Sequence, residues 1–375
     1  MAPWLLIVGL ALGCRGGSAP EGAAARSPAP LASTRPGPGA DGTDQRVAAT
    51  FGANAETPRL TETQASWRFA LGSPVAAAPV VAAEGHVHVV TADGTVTALG
   101  PDGRLRWSHG LGASVQVAPA VSGRITYVGT ADGRLVALKW NGQKLWSYPV
   151  RTGVVSGLVV ASDGSLRLAG SDGSVHAVTA RGGAVWRVAL GEAVSAGPSL
   201  GPDDSVVVGT IAGRVVWIDS FGRRRSFEVG APIRQQVWHG DGRVYAVAGS
   251  DLVAVDDDGA IRWRVPRVRV LAVASARVLA AESRGRLSWW SGAGRLEETV
   301  ELGQQPSDVP AVAADGTVYV PTETGEVLVV RDGRVVGRVV VGRAAVLRPC
   351  LDPRRRLLVA VAGDGAVVGV KVPSG

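Results

Sequence analysis

Cysteine occurs only at Cys14 and Cys350, methionine only at Met1, and lysine only at Lys139, Lys144 and Lys371. Two distant cysteines exclude a disulfide framework and Cys-rich zinc sites, and without Cys-x-x-Cys-His there is no c-type haem attachment. Cys350, in an apolar strand-like run, reads as a small core residue. No Gly-x-Ser-x-Gly elbow, P-loop or zinc-protease helix is present. The scarcity of lysine and asparagine beside abundant arginine gives a net charge of +7 and a pI near 10.1. This profile matches the codon usage of a GC-rich bacterial genome as well as a binding surface, and the arginines are scattered. We expect no nucleic-acid partner. The segment from Arg331 to Lys371 carries nine basic residues against Asp332, Asp352 and Asp364. It reads either as a basic face or as an arginine-rich solvated rim.

What is abundant is repetition. Tryptophans stand at Trp67, Trp107, Trp146 and Trp186, spaced 40, 39 and 40 residues apart in similar settings. A period near 40 built of strand-like pieces marks a repeat architecture. The second unit shows its parts: a short apolar piece from Gln116 to Val121, then Ile125 to Thr130, Arg134 to Lys139, and a last piece around Trp146. Between them lie Asp132-Gly133 and Asn141-Gly142. Such dipeptides are strong hairpin signals because glycine accepts positive φ and Asp or Asn visits it cheaply. The unit is therefore a four-stranded antiparallel meander, a propeller blade.

The tryptophan position continues, with degenerate occupants, at Phe227, Trp263, Val300 and about Val339, giving eight units. The array opens on a Trp-type strand, Trp67–Leu71, and ends on a third-type strand, Ala366–Lys371. These ends are complementary, so the expected fold is all-β: an eight-bladed β-propeller in which the N-terminal strand closes the last blade and removes its free edge.

The region before the repeat reads as an address and a tether. Trp4–Leu12 is too short to cross a bilayer as a helix but suits a signal-peptide core. It runs into Ala11-Leu12-Gly13-Cys14, which resembles a bacterial lipobox whose cysteine is lipidated. By resemblance to lipoprotein sorting, Arg15 in place of Asp implies the outer membrane over retention at the inner one. Residues 15–62, rich in Ala, Gly, Pro and Ser without apolar periodicity, are expected to be disordered. Such a tether has a reach of roughly 35–40 Å. The expected organisation is thus signal 1–14, tether 15–62 and propeller 63–375.

The repeat region resembles the PQQ-like eight-bladed propellers with tryptophan-docking motifs. The resemblance is carried by Pro79-Val80-Val81, Pro119-Ala120-Val121 and Pro198-Ser199-Leu200, by the stretches Thr91–Leu99 and Thr130–Leu138, and by the closing tryptophans. WD-repeat propellers fit less well, since neither Gly-His nor Trp-Asp recurs. The resemblance implies that Trp67, Trp107, Trp146, Trp186 and Trp263 pack between neighbouring blades as structural residues. Within that superfamily the lipidated eight-unit architecture resembles BamB-type lipoproteins of outer-membrane protein assembly, an analogy of architecture without partner-contact residues.

Quinoprotein dehydrogenases share the blade motif, and resemblance to them would require a vicinal disulfide, a calcium site and a catalytic Asp. There is no Cys-Cys pair, and Asp256-Asp257-Asp258-Gly259 lacks calcium-loop spacing and reads as a turn. His86 and His88 share one strand face without a third ligand nearby. No cofactor, metal or catalytic residue is expected. The leading reading is a non-enzymatic, monomeric scaffold, anchored through Cys14 at the outer membrane facing the periplasm, that binds another envelope protein. Competing readings are a glycan- or small-molecule-binding channel and a degenerate PQQ-dependent oxidoreductase. Candidate contact residues lie where the period slips, at Trp289, Trp290, Arg267 and Arg269, although alternation along the strand should bury one of the two tryptophans.

Overall fold

The computed structural model describes residues 61–372 except Gln236, Ser275 and Ala276; Cys14, with the expected signal and nearly all of the tether, lies outside them. Eight sheets form the blades of a propeller. Blade 2 shows why the repeat folds as it does. Its strands Ala120–Ser122, Ile125–Gly129, Arg134–Lys139 and Lys144–Pro149 pair in sequence order, each antiparallel to the next. The two middle strands are buried on both faces, because neighbouring blades cover them, and so read as near-continuous Val, Leu and Ala. Only the outer strand alternates between exposed and half-buried residues.

The ring closes as expected from the sequence. Trp67–Ala70 pairs antiparallel with Ala366–Lys371, with Trp67 opposite Gly369, and becomes the outermost strand of blade 8. A core cluster joins this blade to blade 1, with Leu357, Val359 and Val367 against Val87, Val89 and Leu99. One strand was not foreseen. Thr61–Glu62, grouped with the tether by composition, runs parallel to the outer strand of blade 7, Arg334–Val340, with Thr61 opposite Gly337. Among the described residues the only helical turn is a 3-10 turn at Pro202–Asp204, and no helix is long and apolar enough to cross a membrane.

The tryptophans dock between blades. The indole Nε1–H groups of Trp67, Trp146, Trp186 and Trp263 donate to the carbonyls of Pro101, Ala180, Ser220 and Gly292, each in the last turn of the following blade. Each ring lies over that turn's glycine. At Gly103, with φ of 78°, an added Cβ would sit 2.5 Å from the Trp67 ring, so the turn needs glycine for both backbone and space. Trp107 packs likewise against Gly142, but its buried Nε1 has no hydrogen-bond partner among the described residues.

In most blades a cross-strand row ends on the residue that docks. In blade 2 the row runs Tyr127, Ala137, Trp146, and the small alanine lets the two aromatic rings approach to 5.8 Å. Tyr245, Ala254 and Trp263 repeat this in blade 5. In blades 4 and 6 the aromatic has moved one strand inward. There the rows run Val207, Trp217, Arg225 and Leu279, Trp289, Glu298. This corrects the expected docking positions. Glu298, not Val300, lies against Gly333 of blade 7, while Val300 is 5% exposed and faces the core. In blade 7 the row ends on Gly337 and not on the buried Val339. Phe227 does cover the Gly259 turn, with Arg225 stacked 4.7 Å from the Trp217 ring.

Candidate interaction surface

In a four-stranded meander alternate turns lie at opposite ends, so the propeller has two unlike faces. One carries the first and third hairpin turns of each blade. The other carries the second hairpin turn and the connection to the next blade, and the inner strands start there. Bridges such as Val75 to Thr91, Ile233 to Ala248 and Val346 to Ala362 mark that entrance.

The inner strands line a channel whose two sides differ. The segments that lead into the inner strands of blades 1 and 3 carry small or apolar residues that are not fully buried, including Ala76, Ala77, Val155 and Gly157. Blades 5 to 8 supply Arg234, Gln235, Arg269, Asp308 and Arg348. The Arg348 guanidinium, on blade 8, lies 5.2 Å from the ring of Trp238 on blade 5. Its backbone N–H donates to Asp308. Burial lowers the Arg348 pKa from its ordinary value, a cost that the Asp308 charge partly offsets.

Around this entrance blades 5 to 7 carry a mosaic of charge. Asp251, Glu282 and Glu323 pair with Arg264 (3.7 Å), Arg286 (2.6 Å) and Arg269 (2.7 Å), respectively. Burial tends to raise the Glu282 pKa. Hydrogen bonds from Arg286 and Ser288, with the charges of Arg286 and Arg267, outweigh it and hold the carboxylate below its usual range. Arg269 also reaches Gln305, and its carbonyl accepts from the Gln235 side chain, which ties the entrances of blades 5 and 6 together. Arg267 is exposed and left-handed at φ 65°.

The two candidate tryptophans do not offer an aromatic contact surface. Trp289 is 8% exposed in the core between blades 6 and 7, and Trp290 is half-buried against the cluster around Trp238, Tyr245 and Leu271. Strand alternation does not expose either one, because a middle strand has a neighbouring blade on each face. The sequence signal that was available is the blade row: a tryptophan on a third strand replaces the alanine and fills the docking layer from within.

The polar clusters are built for turns and cores. Asp256 pairs with Arg243 (2.8 Å) and Arg262, and Asp258 accepts the Ala260 N–H, so the triple aspartate is a turn. His88 is buried beside Trp107, with Nδ1 3.1 Å from Thr126 Oγ1; burial, with His86 adding to it, pushes its pKa down to about 4. His176 Nε2 lies 2.8 Å from Ser174 Oγ, and that hydroxyl also meets Asp172 at 2.5 Å. The wiring differs from a nucleophile triad. Asp172 bonds the serine and not the imidazole, whose Nδ1 faces Tyr148, and Ser174 is fully buried. Among the described residues no three His, Cys, Asp or Glu side chains converge to hold a metal. Cys350 is half-buried beside the core joining blades 8 and 1, and burial raises its thiol pKa.

These features define a tryptophan-docked eight-bladed propeller in which the triple aspartate forms a turn and His88 and His176 are buried in the blade packing. The chain belongs to the family described as outer membrane protein assembly factor BamB, whose model matches residues 32–170 and 171–296. No curated protein matches it in sequence. Among solved structures it is similar to BamB from Moraxella catarrhalis, at 17% identity and a TM-score of 0.69, covering 84% of this chain and 100% of that one. The computationally designed Ika8 protein is similar at 17% identity and a TM-score of 0.71, covering 83% and 99% of the two chains. Sqt1 from Saccharomyces cerevisiae follows at 13% identity and a TM-score of 0.73, covering 84% and 100%. At these identities the structural likenesses establish the fold alone.

Proposed function

We propose that this propeller is a lipid-anchored, non-enzymatic scaffold of the bacterial cell envelope that holds partner proteins during outer-membrane protein assembly. The observation that carries this reading is family membership across most of the chain. Its support from the structure is a closed ring in which Ser174 and His176 are buried and are wired, with the exposed Asp172, unlike a catalytic triad. A saccharide stacked in the channel would need a free aromatic face, and Arg348 already lies over Trp238. Cys14 is the proposed lipidation site and residues 15–62 the tether that lets the ring, as a monomer, meet partners facing the periplasm.

The test has two parts. Metabolic labelling with a fatty acid should tag the wild-type chain and not Cys14→Ser, which should leave the membrane fraction. Depleting the protein in its own bacterium should lower the level of folded outer-membrane β-barrels. Unchanged barrel levels, or fractionation unaffected by Cys14→Ser, would remove the corresponding half of the proposal. Alcohol oxidation on addition of PQQ and calcium would replace the scaffold reading with the oxidoreductase one.

A further inference from the structure

The channel entrance of blades 5 and 6 has more cations than it uses. Of its carboxylates, Asp251 pairs with Arg264, Glu282 with Arg286 and, on the neighbouring blade 7, Glu323 with Arg269, while Asp308 accepts the Arg348 backbone N–H and Glu301 stands opposite Arg286 across the strand pair. Arg234, Arg267 and Arg284 are exposed, and none has a carboxylate within ion-pair distance among the described residues. They come from three different loops. Arg234 follows the bridge between Ile233 and Ala248, Arg267 sits in the connection between blades 5 and 6, and Arg284 lies in the second hairpin turn of blade 6. The loops are held together. Gln235 donates to the Arg269 carbonyl, and Val268, next to Arg267, pairs with Glu282, two residues before Arg284.

We propose that this entrance is the docking surface for an acidic loop of a partner protein, a proposal that rests on the scaffold reading and adds the face and the chemistry of the contact. A free guanidinium presents a planar fork that matches a carboxylate. Three of them fixed on separate loops of a rigid ring can engage side chains spread along one loop with little ordering cost. The interleaved carboxylates favour a protein over a nucleic acid. A phosphodiester track would meet Glu282 and Glu323 between the arginines, and the buried Trp289 and half-buried Trp290 offer no platform on which bases could stack.

The experiment uses the full chain in detergent and a fluorescent peptide alternating Glu with Ser. Controls are a Lys–Ser peptide, a single-stranded oligonucleotide and vesicles containing phosphatidylglycerol. The acidic peptide should bind, with affinity falling as salt screens the contact. The triple variant Arg234→Glu, Arg267→Glu, Arg284→Glu should weaken it by about 10-fold or more. The matched variant Arg181→Glu, Arg295→Glu, Arg334→Glu, on the opposite face, should leave it unchanged while lowering net charge equally. No binding above the Lys–Ser peptide, equal loss in both variants, or tighter binding of the oligonucleotide or vesicles would overturn the proposal. Cross-linking in cells separates the two readings. An envelope partner retained by the first triple variant leaves the scaffold standing and removes this face, whereas no partner for the wild type removes the scaffold itself.

Discussion

Trp67 and Gly103 are held face to face, the indole ring over the glycine and its Nε1–H donating to the Pro101 carbonyl at 3.0 Å. The contact joins blade 8 to blade 1, where the ring closes, and the strand that carries Trp67 is itself the last one added to blade 8. Trp67→Ala therefore removes a docked ring and weakens a closure, whereas Trp146→Ala removes a docked ring inside continuous chain. Both should cost about 2–4 kcal/mol in equilibrium unfolding. Hydrogen exchange should rise at Ala366–Lys371 in the first variant only. Equal protection of that strand in both variants would show that the closure does not depend on the indole.

The glycine side of the contact gives a second expectation. Gly103→Ala places a methyl group against the indole at a residue with φ of 78°. The expected loss is about 1–3 kcal/mol from strain and displacement. Gly110→Ala, with open space around it and ordinary φ, should be close to neutral. Chemical denaturation of the two variants side by side would decide the matter.

Rows conserve volume, and a double variant can test that. Trp289→Ala leaves a cavity in blade 6 and should cost about 3–5 kcal/mol. Adding Glu298→Trp recreates the alanine–tryptophan order of blades 2 and 5 over Gly333 and should recover at least ~1 kcal/mol. Additive losses in the cycle would refute the row as a packing unit.

Titration of His88 should appear in stability. Its pKa near 4 in the folded chain lies below the ordinary 6.5, so the unfolded chain binds the proton more readily between those values. Stability is then full above pH 6.5 and falls as pH drops towards 4, by on the order of 3 kcal/mol. His88→Tyr supplies the residue found at the same row position in blades 2 and 5. Melting temperatures of this variant should lose that pH dependence; a parallel decline in both proteins would assign it elsewhere.

Local chemistry made much of the fold legible. Asp-Gly and Asn-Gly turns, apolar pieces of strand length and tryptophans at a fixed spacing identify blades wherever the repeat is regular, as around Trp107, Trp146 and Trp186. Spacing along a single strand points to Val300 and Val339, both of which are buried. Packing acts across strands, so in blade 6 tryptophan sits at Trp289 and leaves Glu298 against the Gly333 turn, while in blade 4 Trp217 has Arg225 stacked on it and Phe227 covers the turn. Arg267 and Arg269 were singled out because the period broke there. Their difference, one in no ion pair among the described residues and one paired to Glu323, depends on a loop more than 50 residues away.

The amino-acid sequence by itself determined the blade and the complementarity of its two ends, because turn residues and strand periodicity act over a few residues. Only the tertiary structure decided which layer each large side chain fills, that Thr61–Glu62 joins blade 7, and which arginines stay free. Those outcomes depend on contacts between blades, where residues far apart in the chain compete for the same space and the same charge.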